Sequence, residues 1–137
     1  MTYKQPKTAD IASFLGIENK ITVEVKEAQN GTCIALLGKE KIHFDYSIPP
    51  KLGDFVDIYI KPEAISLVDN LSHNNSYSVR VLEIHDFGSR VECTVILNKH
   101  NLKFFSPTLN GLDINEAINI HLNQDLLLIY KNGELIS

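Results

Sequence analysis

The chain has 137 residues, 44% of them hydrophobic, enough for one ordinary domain with a packed core. Thirteen basic residues are scattered among seventeen acidic ones for a net charge of −4, so the clustered Lys and Arg that neutralise nucleic-acid phosphates or an anionic membrane are missing. No apolar run approaches the roughly 20 residues of a membrane span, and the opening "MTYKQPKTAD" lacks the apolar core of a signal peptide; the expected location is cytoplasmic, with no direct membrane insertion.

The first predicted element is the only helix. Thr8 suits its N-cap, Ile11, Phe14 and Leu15 fall at helical spacing, and Gly16 supplies the stop. After it the dominant period is two, with β-branched and aromatic residues gathered in short runs. "ITVEV" (21–25) and "TCIALL" (32–37) flank Asn30-Gly31, a strong hairpin signal. "KIHFDY" (41–46) ends at Pro49-Pro50 and Leu52-Gly53-Asp54, and "FVDIYI" (55–60) is followed by Lys61-Pro62-Glu63 and a second short apolar run. The segment "DNLSHNNS" (69–76) has no apolar period and reads as a seam. Beyond it come "YSVRVLEI" (77–84), "RVECTVIL" (90–97), "LKFFSP" (102–107), "AINIHL" (117–122) and "LLLIY" (126–130), then the turn Lys131-Asn132-Gly133 and a closing "ELI". Cys33 and Cys93 lie inside apolar runs without CxxC spacing and are expected to be reduced core thiols.

The two sides of the seam correspond. "ITVEV" matches "YSVRV", Gly31 matches Gly88, and Leu52 to Ile58 matches Ile114 to Ile120, with Lys61-Pro62-Glu63 lying over Asn123-Gln124-Asp125. The chain is therefore a duplicated β unit: a strand ends, a polar tripeptide turns the chain, and a short apolar run packs back as a final strand. Pro62 suits that turn because it fixes φ and cannot donate to a ladder. Glu63 and Asp125 are expected to cap backbone amides there.

Phe14-Leu15-Gly16 with Asn19, Gly53-Asp54 with Lys61-Pro62-Glu63, Val79-Arg80-Val81-Leu82-Glu83 with Gly88, and Asn132-Gly133 after the last strand make up a pattern. It resembles the C-terminal regulatory (TOBE or Mop-like) region of the ATP-binding subunits of ABC importers for maltose, molybdate or tungstate, iron, sulfate and polyamines. Departures are Lys61 where many members carry Arg, Asn123-Gln124-Asp125 where some keep a proline and an acid, and "NKHNLKFFSPTLNGLDI", which has no counterpart. The resemblance implies an all-β fold of two OB-like barrels preceded by one short helix. Residues 1–20 would be helix and linker from an absent ATPase domain, 21–70 the first repeat and 71–137 the second. It further implies a cytoplasmic module at the inner face of the membrane, a homodimer, and importer membrane subunits reached through the absent domain, where ATP and Mg would bind. The chain itself has no G-x-x-x-x-G-K-[ST] loop and no ABC signature, and no cofactor is expected in it. Contacts between copies are expected from Ile42, Phe44 and Tyr46 or from Phe104 and Phe105, with core packing as the alternative.

Two binding functions follow from the resemblance: an importer regulatory and dimerisation domain that either senses its transported substrate or binds a cytosolic regulator, and a stand-alone oxyanion-binding protein of Mop type. "FLGIENKI" leans toward molybdate or tungstate. A pocket for such a tetrahedral dianion uses backbone N–H groups, hydroxyls and a cation, and by position in the resemblance Lys61, Ser66, Ser76 and Arg80 supply them. A nucleic-acid-binding OB-fold is the third reading, opposed by the acidic balance and the lack of interleaved aromatic and basic residues. The five histidines read as singletons, His85-Asp86 points to opposite faces of a strand, and no His, Cys or carboxylate pair has ligand spacing. No catalytic residue and no metal site is expected.

Overall fold

The computed structural model describes residues 19–106 and 112–137; the predicted helix from Thr8 to Gly16 lies outside them. The described residues form β1 (Asn19–Gln29), β2 (Thr32–Leu37), β3 (Glu40–Asp45), β4 (Phe55–Ile60), β5 (Ile65–Leu67) and β6 (Ser76–Asp86). These are followed by β7 (Val91–Leu97), β8 (His100–Ser106), β9 (Ala117–Leu122), β10 (Leu127–Lys131) and β11 (Glu134–Leu135). Period-two patterning accounts for them: along β2, Cys33, Ala35 and Leu37 turn inward while Thr32, Ile34 and Leu36 stay half-buried. Asn30 and Gly31 both take positive φ, 56° and 84°, which a two-residue hairpin turn requires.

Two antiparallel sheets result, with strand orders β11-β10-β4-β1-β2-β3 and β5-β9-β6-β7-β8. The four long strands of each repeat occupy the same positions in their sheets, but the short final strand does not pack back on its own repeat. Instead β5 pairs with β9, and β10 pairs with β4. The sequence repeats 21–70 and 71–137 are thus interlocked in space, each lending a strand to the other's sheet. A register shift falls at the matching point of both, between Val25 and Glu27 and between Val81 and Glu83. Such a bulge bends its strand and raises the local twist, which curls each sheet. The second hairpin is longer by one extra rung, Asp86 with Val91, and by a turn over Phe87 to Arg90.

Curling brings free edges to be covered, and two asparagines cover them. The β3 edge is met by Asn75, whose Oδ1 accepts from the His43 amide and whose Nδ2 donates to the His43 carbonyl, both at 2.7 Å. Asn19 does the same to Lys103 on the β8 edge, both at 2.8 Å. A side-chain amide presents one donor and one acceptor as a peptide does, so each asparagine stands in for one residue of a missing strand. Tyr77 adds a hydroxyl bond to the Lys41 carbonyl at 2.6 Å, and burial, with Glu40 nearby, pushes its phenol pKa well up. The other end of β3 is tied to the C-terminus, where the Ser47 and Ile48 amides donate to the Ile136 carbonyl at 2.6 and 3.1 Å.

The main core cluster runs through both sheets, with Phe44 and Phe104 among its largest members, and a second, small cluster holds Tyr59, Leu128 and Tyr130. Ile42, Phe44 and Phe104, the expected contacts between copies, are buried in this core and present no surface to a partner. Tyr46 is half-buried, and Phe105 is partly exposed with the Arg90 guanidinium 3.9 Å from its ring centre. Cys33 and Cys93 are free buried thiols at matching points of β2 and β7, and burial raises both pKa values to about 11. Among the described residues no helix is long and apolar enough to cross a membrane.

Lys131 on β10 reaches Asp54, ahead of β4, at 2.8 Å. That hydrogen bond, helped by the Lys51 amide, holds the Asp54 carboxyl below its ordinary value. A carboxyl with a lowered folded-state pKa adds stability above its unfolded value of about 3.9 and loses it as pH falls toward the folded one. Urea unfolding of Asp54→Asn between neutral and strongly acid pH is expected to lose less stability at the acid end than the parent does.

Candidate functional site

One polar row crosses the second sheet. In register, Ser66 on β5 faces His121 on β9, and His121 faces Ser76 on β6. Residues on a common row point to the same side, and neighbouring strands are about 4.8 Å apart, so the two hydroxyls flank the imidazole over roughly 10 Å. The residues beside them in sequence, Ile65, Leu122 and Tyr77, turn inward and are buried, which leaves Ser66, His121 and Ser76 on the outer side. The Ser76 hydroxyl is buried and has no hydrogen-bond partner among the described residues. The His73 ring, from the loop before β6, approaches the His121 ring edge-on with centroids 6.1 Å apart. Two of the histidines read as singletons are therefore neighbours, joined by a loop and a register that local spacing does not reveal.

The duplication supplies an internal control. The matching row of the first sheet is Lys20, Tyr59 and Leu128, with Lys20 over the Tyr59 ring at 5.9 Å. Tyr59 and Leu128 belong there to a small apolar cluster with Tyr130, whose phenol is pushed up to about 12 by burial and by Tyr59. The fold accepts an aromatic and aliphatic row at this place. The hydroxyl and imidazole row is therefore a property of the second half and not a demand of the architecture.

The sequence-predicted residues are only partly brought together. Ser66 and Ser76 share the row; Ser66 also lines a crease of about 180 Å³ against β8, with Phe104 and Ser106 opposite. Arg80 lies two rungs further along the same side of β6, where its guanidinium donates to the Asn115 carbonyl at 3.1 Å. Lys61 stands apart, at the end of β4, where it precedes a 3₁₀ turn over Pro62–Ala64 with no side-chain cap. The matching turn, Gln124–Leu126, is capped by Asn123, whose Oδ1 accepts from the Asp125 amide at 3.1 Å. The turn cap is thus the side chain of Asn123, with Asp125 contributing its amide. Gln124 donates to Asp45 at 2.8 Å, and so ties this turn to β3.

His85 pairs with Glu83 at 3.2 Å, while Asp86 accepts from the Gly88 amide at 2.8 Å, so the two do not act on one another. Among the described residues no group of three or more His, Cys, Asp and Glu could hold a metal ion. The row's chemistry is that of hydrogen bonding: serine hydroxyls donate or accept, and an imidazole adds a donor and, when protonated, a positive charge. His121 and His73 were not among the residues the sequence pointed to. The one signal for them was the placement of His121 at the position where the first repeat has Tyr59.

No protein-family model matches the chain, and no curated protein matches it in sequence. Among solved structures, its fold is shared with that of the cytoplasmic molybdate-binding protein ModG, in a crystal form with molybdate bound. The TM-score is 0.69 at 17% identity, over 83% of this chain and 96% of that one. At this identity the likeness is one of fold.

Proposed function

We propose that this chain is a duplicated OB-like, Mop-type module that binds a small tetrahedral oxyanion of the molybdate and tungstate class. The observation that carries the reading is the Ser66–His121–Ser76 row, with a buried and unpartnered Ser76 hydroxyl, on a fold shared with a molybdate-binding protein. An oxyanion seated over His121 has a hydroxyl donor on either side and an imidazole beneath it, a donor-rich setting that a tetrahedral dianion satisfies with several oxygens at once. Arg80 contributes a more distant positive charge along the same face, and Lys61 is retained as a ligand by resemblance alone.

The likeness to ModG spans nearly all of that protein, which favours an oxyanion-binding protein over a part of an importer. A second reading rests on the Gly53-Asp54 and Lys61-Pro62-Glu63 pattern: the same fold as the regulatory and dimerisation domain of an ABC-importer ATPase, working as a homodimer at the cytoplasmic face of the membrane. A stable dimer in sedimentation with no oxyanion affinity would favour that second reading.

The test uses two substitutions in the row, one of them borrowed from the other half of the protein. His121→Tyr and Ser76→Val place there what the first sheet tolerates or what a strand accepts, so the fold is expected to hold by circular dichroism. Each should weaken molybdate binding about tenfold, the effect of one lost charge-assisted hydrogen bond. Unchanged affinity in both variants would remove the row from the site.

A further inference from the structure

A second row, running from β6 across β7 to β8, carries a ligand site of different chemistry. Glu83 on β6 faces Thr94 on β7, and Thr94 faces Lys103 on β8. With Asn19 and Asn101 these residues line a recess of about 370 Å³. At its floor Thr94 is only 4% exposed, yet its Oγ1 has no hydrogen-bond partner among the described residues. A buried hydroxyl left unpaired is unfavourable, and a ligand hydroxyl reaching into the recess removes that cost. In the first half the matching row is Glu27, Ile34 and His43; an isoleucine stands where Thr94 does, so the hydroxyl is not required by the fold.

We infer that this recess binds a neutral polyhydroxylated ligand, a carbohydrate or related polyol. The lining carries one carboxylate and one ammonium around a hydroxyl and amides, so an anion would meet Glu83 and a cation would meet Lys103. A sugar ring carries hydroxyls on both edges, each able to donate to Glu83 and to accept from Lys103 while another reaches Thr94.

The inference is independent of the oxyanion reading, because the two sites share no residue. Its test is a nitrogen-15 spectrum of the full chain titrated to millimolar glucose, ribose, trehalose and sorbitol, with sulfate and glycine as controls. Saturable shifts at Glu83, Thr94, Asn101 and Lys103 are expected with at least one polyol. Thr94→Val, which keeps the side-chain shape, should weaken that binding about tenfold, and Glu83→Gln should weaken it as well, both with otherwise parental spectra. No saturable shift with any polyol overturns the inference. So does a response at these residues to sulfate or glycine alone, or polyol binding that Thr94→Val leaves unchanged.

Discussion

Asn75→Ala is expected to destabilise the protein by about 2–4 kcal/mol, because it leaves the His43 amide and carbonyl on the β3 edge without partners. Asn75 also takes a φ of 62°, a left-handed conformation that costs alanine about 1 kcal/mol more than asparagine. Against a typical total of about 5–15 kcal/mol this is a large loss, and thermal unfolding should begin about 10 °C lower. Asn75→Asp tolerates the backbone and keeps the bond from the His43 amide, but it turns a carboxylate oxygen toward the His43 carbonyl. It should therefore also be destabilising. Asn74→Ala, at the exposed neighbouring residue, is the control and should stay within about 0.5 kcal/mol of the parent. Equal effects at positions 74 and 75 would show that the β3 edge does not depend on the asparagine.

Cutting the chain between Asn70 and Leu71 should leave two pieces that do not fold separately and that recover the parental circular dichroism when mixed. The reason is the exchange of β5 and β10. The first piece loses β10, whose residues Leu127, Leu128, Ile129 and Tyr130 are all buried. At about 1.5–3 kcal/mol for each buried side chain that strand alone contributes up to about 6–12 kcal/mol, comparable to the stability of an entire domain. The first piece also loses the Asn75 and Tyr77 bonds to β3, and the second loses β5 and Asn19. The intact chain should accordingly unfold in a single transition. A dispersed amide spectrum from either piece alone would mean that one sheet is self-sufficient.

Much of this architecture was legible in the sequence. Alternation located most of the long strands within a residue or two, though β1 runs four residues beyond the expected 21–25; Asn30-Gly31 marked the first hairpin, and the likeness of the two halves announced a duplication. Strand exchange was not legible. A three-residue strand such as β5 carries the same local pattern whether it pairs within its repeat or across to the other, and only the global closure of the sheets decides. The burial of Ile42, Phe44 and Phe104 was open for a similar reason, since alternation says that one face of a strand is covered but not by what. Asn19 and Asn75 left a trace that went unused as structure. Each stands just before the first alternating strand of its repeat, where an apolar count passes over it, and its role depends on an edge contributed by the opposite half. The polar row needed the register of β5, β9 and β6, so Ser66 and Ser76 were named while His121 between them was not. Lys61, named with them, stands at the start of the Pro62–Ala64 turn and not on one of the three strands of that row.

The most direct measurement is a calorimetric titration of the full chain with molybdate, with tungstate, sulfate and phosphate alongside. Saturable binding of molybdate and tungstate is predicted, weakened by His121→Tyr and Ser76→Val. At 100 times the dissociation constant it should be matched by a stabilisation of about 2.7 kcal/mol in thermal unfolding. Absence of both heat and thermal shift with every tetrahedral oxyanion would contradict the reading of this module as an oxyanion-binding protein.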